Sequence, residues 1–130
     1  MKPTVAPFPS TRLRRTRQSA AVRGLVRENL LSVQDLIWPV FVREGKGEEE
    51  PVPSMPGVMR RSADLIAKAA KEAHDLGIGA ICVFPYTPLH QRTEDCAEAW
   101  NPDNIANTAI RAIKDAVPEM AVMTDVALDP

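Results

Sequence analysis

Met120-Ala-Val-Met-Thr-Asp-Val-Ala-Leu-Asp-Pro130 is the stretch that orients the rest of the chain. A short apolar run climbs to Thr124 and then delivers two carboxylates, Asp125 and Asp129, into what reads as the loop after a strand. In parallel α/β folds, the loops at the carboxyl ends of strands are where ligands bind and chemistry is done. The pair also has a structural reading, because Asp is a common turn residue whose carboxylate accepts hydrogen bonds from nearby backbone N–H groups. Spacing alone leaves turn acids and a metal or substrate site both open.

Upstream of that stretch, Asn101-Pro102-Asp103 predicts a helix start, with Asn as the cap, Pro at the first position and Asp at the positive end. Ile105, Ala109, Ile110, Ile113 and Val117 supply its buried stripe, and Pro118 closes it. Gly79-Ala-Ile-Cys-Val-Phe84 reads as a second apolar strand. The loop after it opens on the same face as Asp125. Tyr86, Thr87, His90 and Arg92 are its candidate ligand contacts, although polar loop residues commonly just meet water.

Ser62 as N-cap and Asp64 in the first turn predict another helix, with Leu65, Ile66, Ala69, Ala70, Ala73 and Leu76 at helical spacing and Gly77 ending it. His74 lies beside the polar face and reads as a surface residue. Before it, Leu36-Ile-Trp-Pro-Val-Phe-Val42 is nearly continuous in apolar residues and predicts the first strand. Pro39 removes a ladder donor and is expected at a bulge or near the strand start. Residues 43–61 read as a long loop. Its first half, Glu44-Gly-Lys-Gly-Glu-Glu-Glu50, reads as a mobile, solvated tip too short for a phosphate loop. Its second half, Pro53-Ser-Met-Pro-Gly-Val58, is turn chemistry with Gly57 at positive φ.

The first eleven residues carry three prolines and no apolar period, so they read as an extended arm. Although the net charge is only −1, Lys2, Arg12, Arg14, Arg15, Arg17, Arg23 and Arg27 all precede the first acidic residue, Glu28, and the remainder is correspondingly acidic. This asymmetry predicts an arm over 1–31 that docks on something negative, ahead of a globular domain over 32–130. Binding to RNA stays open on composition, against which the arginine-rich segment 12–31 lacks aromatic residues that stack on bases. Hydrophobic content of 45% with 25% charged residues is globular. No run reaches the ~20 apolar residues of a membrane span, and no secretory signal is visible. A soluble cytoplasmic protein is expected. Cys82 and Cys96 lie in different elements and predict no disulfide framework.

Strands near 36–42, 79–84 and 120–126 alternating with helices imply right-handed crossovers and a parallel sheet. An open doubly wound sheet and a closed eight-stranded barrel compete for this pattern, and the absence of a dinucleotide fingerprint weakens the first.

Trp38-Pro-Val-Phe-Val42, Ser54-Met-Pro-Gly-Val58 and the run from Asn101 to Pro130 resemble the δ-aminolevulinic acid dehydratase (porphobilinogen synthase) family, and the likeness extends over most of the chain from Arg12 onward. The resemblance implies an α/β (β/α)8 TIM barrel with an extended N-terminal arm. Only the first three barrel strands are expected here, so these residues are expected to be the N-terminal portion of a longer protein. It implies a lyase of tetrapyrrole (heme) biosynthesis that condenses two 5-aminolevulinate molecules to porphobilinogen with loss of two waters. The Schiff-base lysines of that chemistry are implied to lie on later strands, leaving this span alone inactive. Asp125 matches the motif aspartate implied to orient the second substrate's amino group. In zinc-using members the segment reads Asp-x-Cys-x-Cys-Pro. Here Ala127 and Asp129 stand at the cysteine positions, as in the family's aspartate-rich branch. A hard oxygen at Asp129 shifts preference from Zn2+ toward Mg2+, a monovalent cation or no metal. The arm is implied to wrap a neighbouring subunit of a homo-oligomer, an octamer by resemblance, with neither nucleic acid nor membrane as partner. The alternative is a non-catalytic assembly or nucleic-acid-binding module that uses the Arg-rich arm.

Overall fold

A computed structural model describes residues 6–126, which divide between two compact units, Met1–Leu31 and Ser32–Pro130. In the first unit a 3-10 turn, Arg15–Arg17, precedes the short helix α1, Ala20–Leu25, whose N-cap Ser19 accepts the Val22 N–H at 3.2 Å. The leucines of this unit are exposed, and the Arg12 guanidinium sits 5.2 Å over the Phe8 ring.

The second unit is built on a five-stranded sheet in the order β2-β3-β1-β4-β5. Its strands are β1 Ile37–Arg43, β2 Glu49–Pro51, β3 Met59–Ser62, β4 Ala80–Pro85 and β5 Ala121–Thr124. The pairs β1–β4 and β4–β5 are parallel, with Ile37 opposite Ala80 and Ala80 opposite Ala121. These are the three strands expected from the apolar runs. The expected loop 43–61 contains two strands more. There β2 runs antiparallel to β3, and Glu49 and Glu50 face Arg61 and Arg60 across the ladder. The ion pairs Arg61–Glu49 at 2.6 Å and Arg60–Glu50 at 3.6 Å supply cross-strand complementarity that no apolar period advertises. The strand β3 in turn joins β1 in parallel over Phe41–Arg43 only. Pro39, the third residue of β1, sits near the strand start as expected, at a level where β4 alone among the described residues pairs with the strand.

Helices α2, Ala63–Asp75, and α4, Ile105–Ala116, pack on one face of this sheet. Val40 and Val42 of β1, Ile81 and Val83 of β4, Ile66 and Ala70 of α2, and Ala109 and Ile113 of α4 make the core, extended by Val117 and Met120. Period two on the strands and period 3.6 on the helices converge on this layer. The opposite sheet face is apolar but open, with Ile37 49% and Met123 51% exposed and the Phe41 and Phe84 rings in contact at 5.7 Å.

Helix ends follow backbone satisfaction. α2 closes in a Schellman arrangement, with the Ile78 N–H on the Ala73 carbonyl, the Gly77 N–H on the His74 carbonyl, and Gly77 at φ +94°. Leu76, expected in the buried stripe, is 74% exposed because it lies past the last helical turn. The start of α4 differs from expectation by one turn: Asn104, not Asn101, is the cap, its Oδ1 accepting the Asn107 N–H at 2.8 Å. Asn101 Oδ1 instead accepts the Asp103 N–H, so Asn101-Pro102-Asp103 forms a local turn ahead of the helix.

Candidate active site

The carboxyl ends of β4 and β5 open into a cleft of about 440 Å³. Its floor and walls come from Phe84 and Pro85 at the end of β4, from the loop that follows, from the short helix α3, Ala97–Trp100, and from the first turns of α4. Thr124, Asp125 and Val126 complete it at the end of β5. Asp125 is exposed into solvent at this edge, so its carboxylate is available to a ligand without breaking a core contact. Asp129 and Ala127 lie outside the described residues.

Of the loop residues predicted from sequence, Thr87 and Arg92 line the cleft, and Tyr86 and His90 do not. Arg92 Nε donates to the Thr87 carbonyl at 2.8 Å, which fixes where the other guanidinium donors can reach. Tyr86 is taken up elsewhere: the Arg60 guanidinium lies 4.7 Å above its ring, and its N–H donates to the Val42 carbonyl. His90 is exposed in the 3-10 turn Leu89–Gln91.

Several cleft residues carried no motif in the sequence. Gln91, Thr93, Cys96, Glu98 and Asn104 all line it. Thr93 shapes this wall by a double role, donating from Oγ1 to Asp95 Oδ1 at 2.6 Å and accepting the Ala97 N–H at 3.1 Å. The Thr93 hydroxyl stabilises the charged carboxylate and holds Asp95 below the usual aspartate value. Cys96 adopts φ +52°, an uncommon backbone for a residue with a Cβ, at the turn into α3. Neither cysteine is in a disulfide. A signal for this wall did exist in the string Thr-Glu-Asp-Cys, where a hydroxyl two residues before an acid favours a side-chain-bonded turn.

No described lysine lines the cleft. The Lys114 ammonium binds the Pro118 and Met120 carbonyls, Lys71 lies 4.0 Å from Asp75, and Lys46 and Lys68 are exposed. Among the described residues no group of three or more His, Cys, Asp or Glu side chains is gathered to hold a metal ion. What the described cleft offers is an acceptor at Asp125, a donor cluster at Arg92 and Gln91, and apolar floor from Phe84. Among the described residues no helix is long and apolar enough to cross a membrane.

A family model for delta-aminolevulinic acid dehydratase matches residues 10–130. The delta-aminolevulinic acid dehydratase of Rhodobacter capsulatus is 50% identical over 124 residues, covering 95% of this chain and 37% of that protein. That of Bradyrhizobium diazoefficiens is 47% identical over 119 residues, covering 92% and 34%. The crystal structure of delta-aminolevulinic acid dehydratase (porphobilinogen synthase) from Toxoplasma gondii ME49, in complex with the reaction product porphobilinogen, matches with a TM-score of 0.82 at 40% identity, covering 91% of this chain and 33% of that one. The chain spans about a third of the length of the curated relatives it matches. A match that runs through both strand-end loops of the cleft at this identity leaves one assignment, and the chain belongs to the delta-aminolevulinic acid dehydratase family.

Proposed function

We propose that the full-length protein bearing this chain is a porphobilinogen synthase, condensing two molecules of 5-aminolevulinate to porphobilinogen with loss of two waters. The observation that carries the reading is the 0.82 TM-score match at 40% identity to an enzyme solved with porphobilinogen. The open cleft at the strand ends, with Asp125 on its rim, agrees with it. The apolar, open sheet face and the parallel order β1-β4-β5 support completion as a (β/α)8 barrel, in which further strands would cover Ile37 and Met123.

In this reading Asp125 accepts a hydrogen bond from the second substrate's amino group and orients it. An exposed carboxylate at the mouth of the cleft suits an ammonium-bearing substrate by charge. The nucleophilic lysines that form Schiff bases with the substrate ketones must be deprotonated, which requires a desolvated or cationic environment. No described lysine has it, so this chemistry is assigned to residues outside the described ones. Asp129 is proposed as a metal ligand on donor chemistry alone: an oxygen ligand suits Mg2+ or a monovalent cation better than Zn2+. The described residues alone build no metal site. The working protein is proposed to be a cytoplasmic homo-oligomer in which the basic arm contacts a neighbouring copy.

The test is porphobilinogen formation by purified full-length protein, with chelator and with added Mg2+ or Zn2+. Product formed after zinc removal and raised by Mg2+ is expected. Activity that returns only with Zn2+ would overturn the metal assignment, and no porphobilinogen under any metal would overturn the activity.

A further inference from the structure

The charged segment 44–50, which reads from sequence as a mobile tip, is anchored at both ends. The Gly47 N–H lies 3.1 Å from each carboxylate oxygen of Asp64. The Glu48 N–H donates to Ser62 Oγ at 3.0 Å, the Ser62 hydroxyl donates to Asp64 Oδ1 at 2.6 Å, and the Ser62 N–H donates back to the Glu48 carbonyl at 2.9 Å. Ser62 is fully buried, so this knot is tied to the core. Gly45 and Gly47 make the path feasible at φ +120° and +67°. At the other end, Glu44 Oε1 accepts a hydrogen bond from Gln91 Nε2 at 2.8 Å, joining the loop after β1 to the loop after β4.

Gln91 lines the cleft, ends the turn Leu89–Gln91 and leads directly into Arg92. That turn has little apolar burial to order it, since Leu89 is 78% exposed and His90 is exposed. Besides its own short-range bonds, this wall is held by the hydrogen bond that Gln91 donates to a carboxylate on an anchored segment. We infer that Glu44 is a positioning residue of the proposed porphobilinogen synthase: the segment 44–48 is a strut, fixed by Asp64 and Ser62, that sets the cleft wall through Gln91 and so the placement of substrate against Arg92. The inference rests on the proposed activity for its kinetic consequence, and on the two loops alone for its structural one. A wall that is ordered only part of the time weakens apparent binding by the fraction of time it is competent.

The experiment uses full-length protein with Glu44→Ala, Glu44→Gln, Gln91→Ala and the double variant Glu44→Ala/Gln91→Ala. It reads steady-state kinetics and amide hydrogen exchange over 87–93. Glu44→Ala is expected to raise KM by about threefold to tenfold, with kcat changed less, and to speed exchange in 87–93 by a similar factor. Glu44→Gln keeps an oxygen acceptor and is expected to behave as wild type, while the double variant matches Glu44→Ala instead of adding to it. Unchanged exchange over 87–93 in Glu44→Ala would overturn the strut, as would additive effects in the double variant. Exchange needs no turnover, so faster exchange in a protein that makes no porphobilinogen would uphold the strut and reject the activity instead.

Discussion

At the scale of single residues, two aspartates with opposite surroundings do different work. Asp125 is exposed at the mouth of the cleft, and its proposed role is to receive an ammonium group. Asp125→Asn keeps the shape and removes the charge, so kcat/KM for 5-aminolevulinate is expected to fall about 100-fold, with the thermal midpoint unchanged. A variant as active as wild type would reduce Asp125 to a turn acid. Asp64 is structural. The Ser62 hydroxyl first, and the Gly47 N–H second, hold its carboxyl below the ordinary aspartate value. Because the folded value is the lower one, the unfolded chain binds more protons between the two values, and stability rises with pH there. The contribution of Asp64 is complete above the ordinary aspartate value and is lost as pH falls through the lowered one. Urea unfolding of full-length protein from neutral pH to roughly pH 3 is expected to show a shallower acid loss in Asp64→Asn than in wild type. Parallel acid limbs would remove Asp64 from the account.

At the scale of elements, what was legible follows which forces dominate each one. The strands β1, β4 and β5 and the helices α2 and α4 are held by apolar burial, which writes its period directly into sequence, so Val40, Ile81, Ile66 and Ile113 fall where the pattern puts them. The pair β2–β3 is held by Glu49, Glu50, Arg60 and Arg61 across the ladder, and a run of glutamates looks the same whether it is solvated or paired. The α4 boundary moved for a related reason: Asn101 and Asn104 are both competent caps, and only the tertiary placement of the helix selects between them. Of the candidate site, the strand-end position of Asp125 and two of the four loop residues were readable. Gln91 and Glu44 were not, because their bond joins positions 47 apart. Ile113 is the sharpest test of the core reading. It is fully buried between sheet and helix layers, so Ile113→Ala is expected to cost about 2–5 kcal/mol and Ile113→Val about 0.5–1.5. Chemical denaturation of the full-length protein gives both, and a loss below the valine range for the alanine variant would place Ile113 outside a packed core.

At the scale of the whole molecule, charge separates the two units more strongly than composition suggests. Before Glu28 the chain is basic without exception, while the second unit carries all but one of the acidic residues. Within the first unit Arg14, Arg17 and Arg23 border a common hollow, and Arg23 Nη1 is fixed to the Arg17 carbonyl at 3.0 Å. Its leucines are exposed as well, so the unit presents both charge and apolar surface to a partner. A nucleic acid would use the arginines and leave Leu13, Leu25, Leu30 and Leu31 in water. A second copy, whose residues 32–130 carry the acidic excess, would use both, which favours the proposed homo-oligomer. The replacement Arg14→Ala/Arg17→Ala/Arg23→Ala in the full-length protein is therefore expected to shift the assembly to smaller species by light scattering at low salt. Wild type is expected to make the same shift only as salt approaches about 1 M, where charges are screened within about 3 Å. An assembly indifferent to both treatments, in a protein whose arm retains RNA at low salt, would move the arginines from subunit contact to nucleic-acid binding.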